Sequence, residues 1–82
     1  GYIQFINNGY TKLTFSVVVH DKDHKVVVGG NDSVDGDIRL TELLVAEKPY
    51  TFTVDISGIK NATMCVFSGY SCNAEVTNIY LS

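Results

Sequence analysis

Short runs of β-branched and aromatic residues, each ended by Gly, Asn, Asp or Pro, dominate this sequence. In the clearest run, residues 11–20, every second position from Leu13 to Val19 is apolar, and residues 50–56 alternate in the same way. A period of two is typical of a half-buried strand, because successive side chains of a strand point to opposite faces. No stretch has the period of an amphipathic helix. The pattern therefore predicts an all-β protein.

Seven such runs fit into the 82 residues, at roughly the 8–12-residue spacing of turns in β-sandwiches. We expect residues 1–82 to form one domain, an antiparallel β-sandwich or jelly roll of about seven strands. Two hairpins are predicted, one centred on Lys22 and Asp23 and one between Ser68 and Gly69. The polar stretch from Gly29 to Asp37 is expected to cross between the sheets.

Charge and hydropathy exclude two classes of partner. Six Lys and Arg residues against nine Asp and Glu give a net charge of −3, with no basic cluster to neutralise phosphates. We therefore expect no nucleic-acid partner. All apolar runs are far shorter than the roughly 18 residues that cross a bilayer, so no membrane insertion is expected. No secretion signal opens the sequence, so we expect either that a signal peptide has been removed or that the segment was cut from a larger secreted protein with neighbouring domains.

The only two cysteines are Cys65 and Cys72. A hairpin centred between Ser68 and Gly69 would place them opposite each other, where a disulfide could form. The loop-entropy model gives such a short crosslink about 2 kcal/mol, which a domain of this size would need. Two free thiols are the alternative, because the redox compartment is unknown.

Two polar clusters could bind a ligand or a metal ion. The first cluster, at the predicted Lys22–Asp23 turn, supplies two imidazoles and two carboxylates from His20, Asp21, Asp23 and His24. The second cluster, in the long polar stretch, supplies the carboxylates of Asp32, Asp35 and Asp37, which could hold Ca²⁺. For both clusters the alternative is an ordinary solvated loop.

The sequence gives little support for an enzyme. It has no nucleophile elbow, phosphate-binding loop or pair of catalytic carboxylates. Only a thiol–imidazole pair could be built, from Cys65 or Cys72 with His20 or His24. A domain of this size leaves little volume for a pocket that excludes water, so we expect no catalysis.

Residues 49–62, PYTFTVDISGIKNA, resemble a strand and turn of the NPCBM family of carbohydrate-binding modules. Residues 8–13 resemble the entry to an early strand of that family, and residues 74–81 resemble its closing strand. The resemblance implies a galactose-binding-like jelly roll. It also implies a non-catalytic module that holds a sugar while attached to a glycosidase or a cell-surface protein. Sugar sites commonly include an aromatic ring, and this chain has no Trp.

If the strands run up and down, their loops gather at two ends. One end would unite residues 20–24 with Glu47 and Tyr70, and there we expect the sugar site. Tyr70 would stack on the sugar, while hydrogen bonds to its hydroxyls, or a bound Ca²⁺, would be supplied by His20, Asp21, Asp23, His24 and Glu47. The opposite end is the alternative and would unite the polar side chains of Asn7, Asn8, Tyr10, Asp32, Asp35, Asp37 and Asn61.

We therefore interpret the chain as a non-catalytic carbohydrate-binding module of a secreted or cell-surface protein. Two other hypotheses stay open. One is a structural or adhesive domain that docks proteins through a sheet edge or an apolar patch. The other is a small secreted effector that is stapled by Cys65 and Cys72.

Overall fold

The computed structural model describes residues 2–30, 37–67 and 73–82, and all regular structure in these ranges is β. It forms seven strands: β1 (Tyr2–Ile6), β2 (Lys12–Val19), β3 (His24–Gly30), β4 (Leu40–Leu44), β5 (Tyr50–Asp55), β6 (Asn61–Phe67) and β7 (Ala74–Leu81). The predicted all-β class is confirmed. A search of the same ranges for an apolar helix long enough to cross a membrane finds none.

The strands form two antiparallel sheets. One has the order β1-β6-β3-β4 and the other the order β5-β2-β7. Three of the pairings are nested along the chain, because β3 pairs with β4, β2 with β5, and β1 with β6. The chain therefore folds back on itself between β3 and β4. The strands before this point, β1 to β3, pair in reverse order with the strands after it, β4 to β6.

The apolar positions of both sheets meet in one core. The inward residues of β2, Leu13 to Val19 at every second position, are at most 2% exposed. Residues of the other sheet, including Val26, Val28 and Met64, belong to the same buried cluster. The Phe15 ring packs against the ring of Phe52 on β5, with centroids 5.6 Å apart. Burial of these side chains supplies most of the driving force for folding, at about 25 cal/mol per Å².

Both predicted hairpins are wrong. The strands β2 and β3 lie in different sheets, and so do β6 and β7. The two valine runs do not pair with each other; Val19 of β2 and Val26 of β3 instead belong to one buried cluster that both sheets share. The predicted crossing between Gly29 and Asp37 is also wrong, because β3 and β4 are neighbours in one sheet. Gly29 itself lies within β3.

The connections between the described strands gather at two ends. At the His20 end, the amide of Glu47 donates to the carbonyl of Val19 at 2.7 Å, and that of His20 donates to Asn73 at 2.8 Å. At the Asn7 end, the amide of Asn7 donates to the carbonyl of Lys60 at 2.7 Å.

A β-bulge interrupts the pairing of β2 with β7. Thr14 lies opposite Tyr80 and Ser16 lies opposite Thr77, so two residues of β7, Asn78 and Ile79, fall between them. Asn78 has a φ of +53°, which asparagine tolerates better than most residues. The extra residue reverses the inward–outward alternation for the last two paired residues of β7, Tyr80 and Leu81.

Candidate functional site

The His20 end brings together part of the predicted sugar site. The described residues of this site are His20, Asp21, Asp23, His24 and Glu47, and all of them lie at this end of the two sheets. Tyr70 lies outside the described residues, so the prediction of a stacking ring at that position stays a prediction.

His20 lies between two carboxylates. Its Nδ1 atom is 3.1 Å from Oε1 and 3.3 Å from Oε2 of Glu47, in the turn between β4 and β5. Its Nε2 atom is 3.7 Å from Oε2 of Glu75, near the start of β7. All three side chains reach solvent, with 32% of the His20 side chain and about two thirds of each carboxylate side chain exposed. We call this group of three residues the His20 cluster.

The His20 cluster favours the charged imidazole. A carboxylate can only accept hydrogen bonds, so the Nδ1 atom that faces Glu47 carries a proton. The hydrogen bond to Glu47 raises the pKa of His20 above its usual 6.5; together with the negative charges of Glu47 and Glu75 it outweighs an opposing desolvation effect. The cluster therefore contains both N–H donors and carboxylate acceptors.

His24 has a structural role. Its side chain is fully buried, and its Nε2 atom is 2.8 Å from Oδ1 of Asp21. The same Oδ1 atom accepts a hydrogen bond from the amide of Asn73 at 3.3 Å. Partial desolvation raises the pKa of Asp21, but these hydrogen bonds dominate and lower it below its usual 3.8. Asp21 therefore links the β2–β3 connection both to His24 and to Asn73, the residue that precedes β7.

Asp23 also holds two connections together. Its Oδ1 atom accepts a hydrogen bond from the amide of Ala46 at 2.9 Å, which ties the β2–β3 connection to the β4–β5 turn. The carboxylate that sequence reasoning assigned to a ligand therefore already has a backbone partner. Of the five described residues in the predicted sugar site, only His20 and Glu47 lie together in a solvent-exposed cluster.

At the opposite end, Asp37 forms a two-point ion pair with Arg39. Nε of Arg39 donates to Oδ1 of Asp37 at 2.7 Å and its Nη2 atom donates to Oδ2 at 3.0 Å. The hydrogen bond from Arg39 lowers the pKa of Asp37. Both carboxylate oxygens of Asp37 are thus occupied by the guanidinium. Asp32 and Asp35, its predicted partners in a Ca²⁺ site, lie outside the described residues.

Asn7 organises the same end. Its Nδ2 atom donates to the carbonyl oxygens of Tyr10 at 2.8 Å and Ile59 at 3.0 Å, while its Oδ1 atom accepts from the amide of Tyr10 at 2.8 Å. These contacts join the β1–β2 connection to the β5–β6 connection. Asn7 therefore uses its amide group within the fold.

Within the described ranges, no three His, Cys, Asp or Glu side chains form a group that could hold a metal ion. Cys65 lies in β6, and Cys72 lies outside the described residues. The hairpin that would have placed them opposite each other does not exist, because β6 and β7 lie in different sheets. The disulfide stays a prediction without that geometric support.

Sequence reasoning placed neither Glu75 beside His20 nor Tyr80 on the exposed face of its sheet. Both lie on β7, and their positions depend on the pairing of β7 with β2. The alternation of Ala74 and Val76 with Glu75 marks Glu75 as an outward residue, but the sequence does not say which strand lies beside it. For Tyr80 the one available signal was Asn78, a residue suited to a bulge within an otherwise regular strand.

Comparison with protein-family models, with curated proteins and with solved structures finds no match for this chain. The chemistry of the His20 cluster and of the surface beside it is therefore the basis for assigning a function.

Proposed function

We propose that this chain is a non-catalytic carbohydrate-binding module of a secreted or cell-surface protein. The observation that carries the proposal is the His20 cluster, in which an exposed imidazole lies between two exposed carboxylates. Sugar hydroxyl groups both donate and accept hydrogen bonds, and this cluster offers both functions within a few ångströms. Asp21, Asp23 and His24 support the site by fixing the connections around it.

We also propose that the two sheets form a β-sandwich of jelly-roll type. The nested pairing of β3 with β4, β2 with β5, and β1 with β6 supports this topology, because a jelly roll is a long antiparallel hairpin wrapped into two sheets. Jelly rolls are common among lectin domains, so the topology is compatible with sugar binding without requiring it.

A glycan-array screen of the isolated chain tests the proposed function. We expect binding that is lost in His20→Ala and reduced in Glu75→Gln. The matched control is Glu42→Gln, which makes the same change of charge at an exposed position of β4 in the other sheet. Binding to no glycan by folded protein would contradict the proposal, as would equal losses in Glu75→Gln and Glu42→Gln.

A second candidate function is docking of another protein at the β4 edge. Three apolar side chains at or beside this edge strand are strongly exposed, namely Ile38 at 51%, Leu43 at 63% and Val45 at 45%. An unpaired strand edge with exposed apolar residues can accept a further strand. Concentration-dependent dimerisation that Leu43→Lys abolishes, measured by sedimentation, would favour this function over sugar binding.

A further inference from the structure

The outer face of the sheet β5-β2-β7 carries a regular array of hydroxyl groups. In register, Thr53, Thr14 and Tyr80 form one row across the three strands, and Thr51, Ser16 and Thr77 form the next. Residues paired in this way project from the same face of a sheet. We call these six residues the hydroxyl platform: Thr14, Ser16, Thr51, Thr53, Thr77 and Tyr80.

The bulge in β7 brings Tyr80 to the platform. Val76 and Leu81 both pack against the core, although they lie five positions apart, an odd step along the strand. Regular alternation would turn Tyr80 inward and Leu81 outward, and the residue added at the bulge reverses this order. Tyr80 is consequently 62% exposed, and it pairs with Thr14. The platform thus gains an exposed aromatic ring.

Hydrogen bonds between strands hold the hydroxyl groups in place. The hydroxyl oxygens of Thr14 and Thr53 are 3.2 Å apart, and those of Ser16 and Thr51 are 3.0 Å apart. Each hydroxyl has one donor and two acceptor positions, so each bonded pair keeps one donor and several acceptor positions for a ligand. Because the pairs are fixed before binding, little side-chain freedom is lost when a ligand arrives.

The platform is neutral and lies between charged rows. The row of Lys12 and Asp55 borders it near the Asn7 end, and the row of Val18 and Glu75 borders it near the His20 end. The platform is therefore suited to a neutral, hydroxyl-rich partner rather than to an anionic one. Glu75 belongs to the His20 cluster, so the platform and the cluster form one continuous surface.

We propose that an extended neutral glycan lies along β2 on the hydroxyl platform, with one sugar stacked on Tyr80 and another at the His20 cluster. The row of Glu75 and the row of Tyr80 lie four positions apart along β2, a distance of about 13 Å at the usual rise of a strand. One monosaccharide cannot contact both groups, so the ligand is a chain of sugars. This inference rests on the proposed function and adds the ligand class and the binding surface.

Titration calorimetry with neutral oligosaccharides of increasing length tests the inference. The probes are mono-, di-, tri- and tetrasaccharides of the β-glucan, xylan and mannan types, together with the soluble polysaccharides. We expect affinity to increase with chain length. Tyr80→Ala should reduce affinity for the longer chains by about fivefold or more, as loss of an aromatic contact does, and should leave monosaccharide binding unchanged. Tyr80→Phe should retain most of the affinity.

The matched control is Tyr10→Ala, which removes another exposed tyrosine, in the β1–β2 connection and outside the six platform residues. Thr53→Val tests the hydroxyl array separately, because it removes one hydroxyl at nearly constant volume, and it should also weaken binding of long chains. Circular dichroism checks that each variant folds.

The outcomes separate the two proposals. Equal affinity for short and long chains, or equal effects of Tyr80→Ala and Tyr10→Ala, would overturn the proposal that a glycan lies on the platform. Binding that still depends on His20 in that case would uphold the proposed carbohydrate-binding function. Binding to no saccharide of any length would overturn both.

Discussion

Gly30 of β3 packs so closely against Ile59 that one added methyl group would overlap with the isoleucine side chain. A Cβ atom built on Gly30 would lie 2.5 Å from Cγ2 of Ile59 and 2.9 Å from its Cγ1 and Cδ1 atoms. Carbon atoms in proteins prefer about 3.5–4.0 Å, so the overlap is about 1 Å. Ile59 is only 3% exposed and cannot move into solvent. We expect Gly30→Ala to destabilise the fold by about 1–3 kcal/mol, the usual cost of overpacking.

The total stability expected for 82 residues is about 4–12 kcal/mol, so this loss is a large fraction of it. Ile59→Ala removes all three clashing atoms and by itself should cost about 2–5 kcal/mol. In that background Gly30→Ala should be neutral or stabilising, because it fills part of the cavity and restricts the unfolded chain. Ile59→Val should rescue much less, because a valine side chain keeps both γ carbons.

Urea unfolding followed by far-ultraviolet circular dichroism measures this double-mutant cycle, since the chain has no Trp to report by fluorescence. Gly9→Ala is the control. It is destabilising for another reason, because Gly9 has a φ of +92° and open space around its Cβ position, and Ile59→Ala should not rescue it. A Gly30→Ala protein as stable as the wild type, or a loss that persists unchanged in Ile59→Ala, would refute the packing argument.

Three further predictions concern the bulge and two titrating groups. Asn78→Val should lower stability by about 1 kcal/mol, because a β-branched residue resists a φ of +53°, whereas Asn78→Gly should not; urea unfolding compares them. Because the pKa of His20 is raised in the folded state, its contribution to stability is present below about pH 6.5 and is lost as the pH rises through the folded-state pKa. The stabilities of wild type and His20→Gln should therefore converge at alkaline pH. The lowered pKa of Asp21 means that its contribution is present above its usual 3.8 and is lost as the pH falls through the folded-state value, so wild type and Asp21→Asn should converge in acid. Thermal unfolding across the pH range tests both, and parallel curves for wild type and variant would contradict them.

The sequence predicted which residues face the core much better than it predicted which strands are neighbours. The period of two assigns Leu13 and Val19 to one face of β2, and both are fully buried. The same pattern is satisfied whether β2 pairs with β3 beside it or faces β3 across the core. Side-chain alternation specifies a face, whereas the choice of neighbour depends on packing between sheets.

The same difference explains the outcome at the site. His20 and Glu47 were found because both lie in turn signals at one end of the strands. Glu75 and Tyr80 were missed because their place depends on the β2–β7 pairing and on a bulge, and neither follows from periodicity. Burial of His24 was missed because a histidine within a polar turn gives no sign of which way it points.

Glu47 of the His20 cluster has a strained backbone conformation in the β4–β5 turn. Glu47 has a φ of +65°, where a non-glycine residue costs about 1–2 kcal/mol and glycine costs little. Its amide hydrogen bond to Val19 would survive in Glu47→Gly, and the added freedom of the unfolded chain would cost only about 0.4–1 kcal/mol. We therefore expect Glu47→Gly to be as stable as the wild type or more stable, and to lose glycan binding. Glu47→Gln keeps the strained backbone and should gain no stability. Strain that is retained where glycine would relieve it indicates a side chain kept for function. A Glu47→Gly protein that is clearly less stable than Glu47→Gln would show instead that glutamate is retained for the fold.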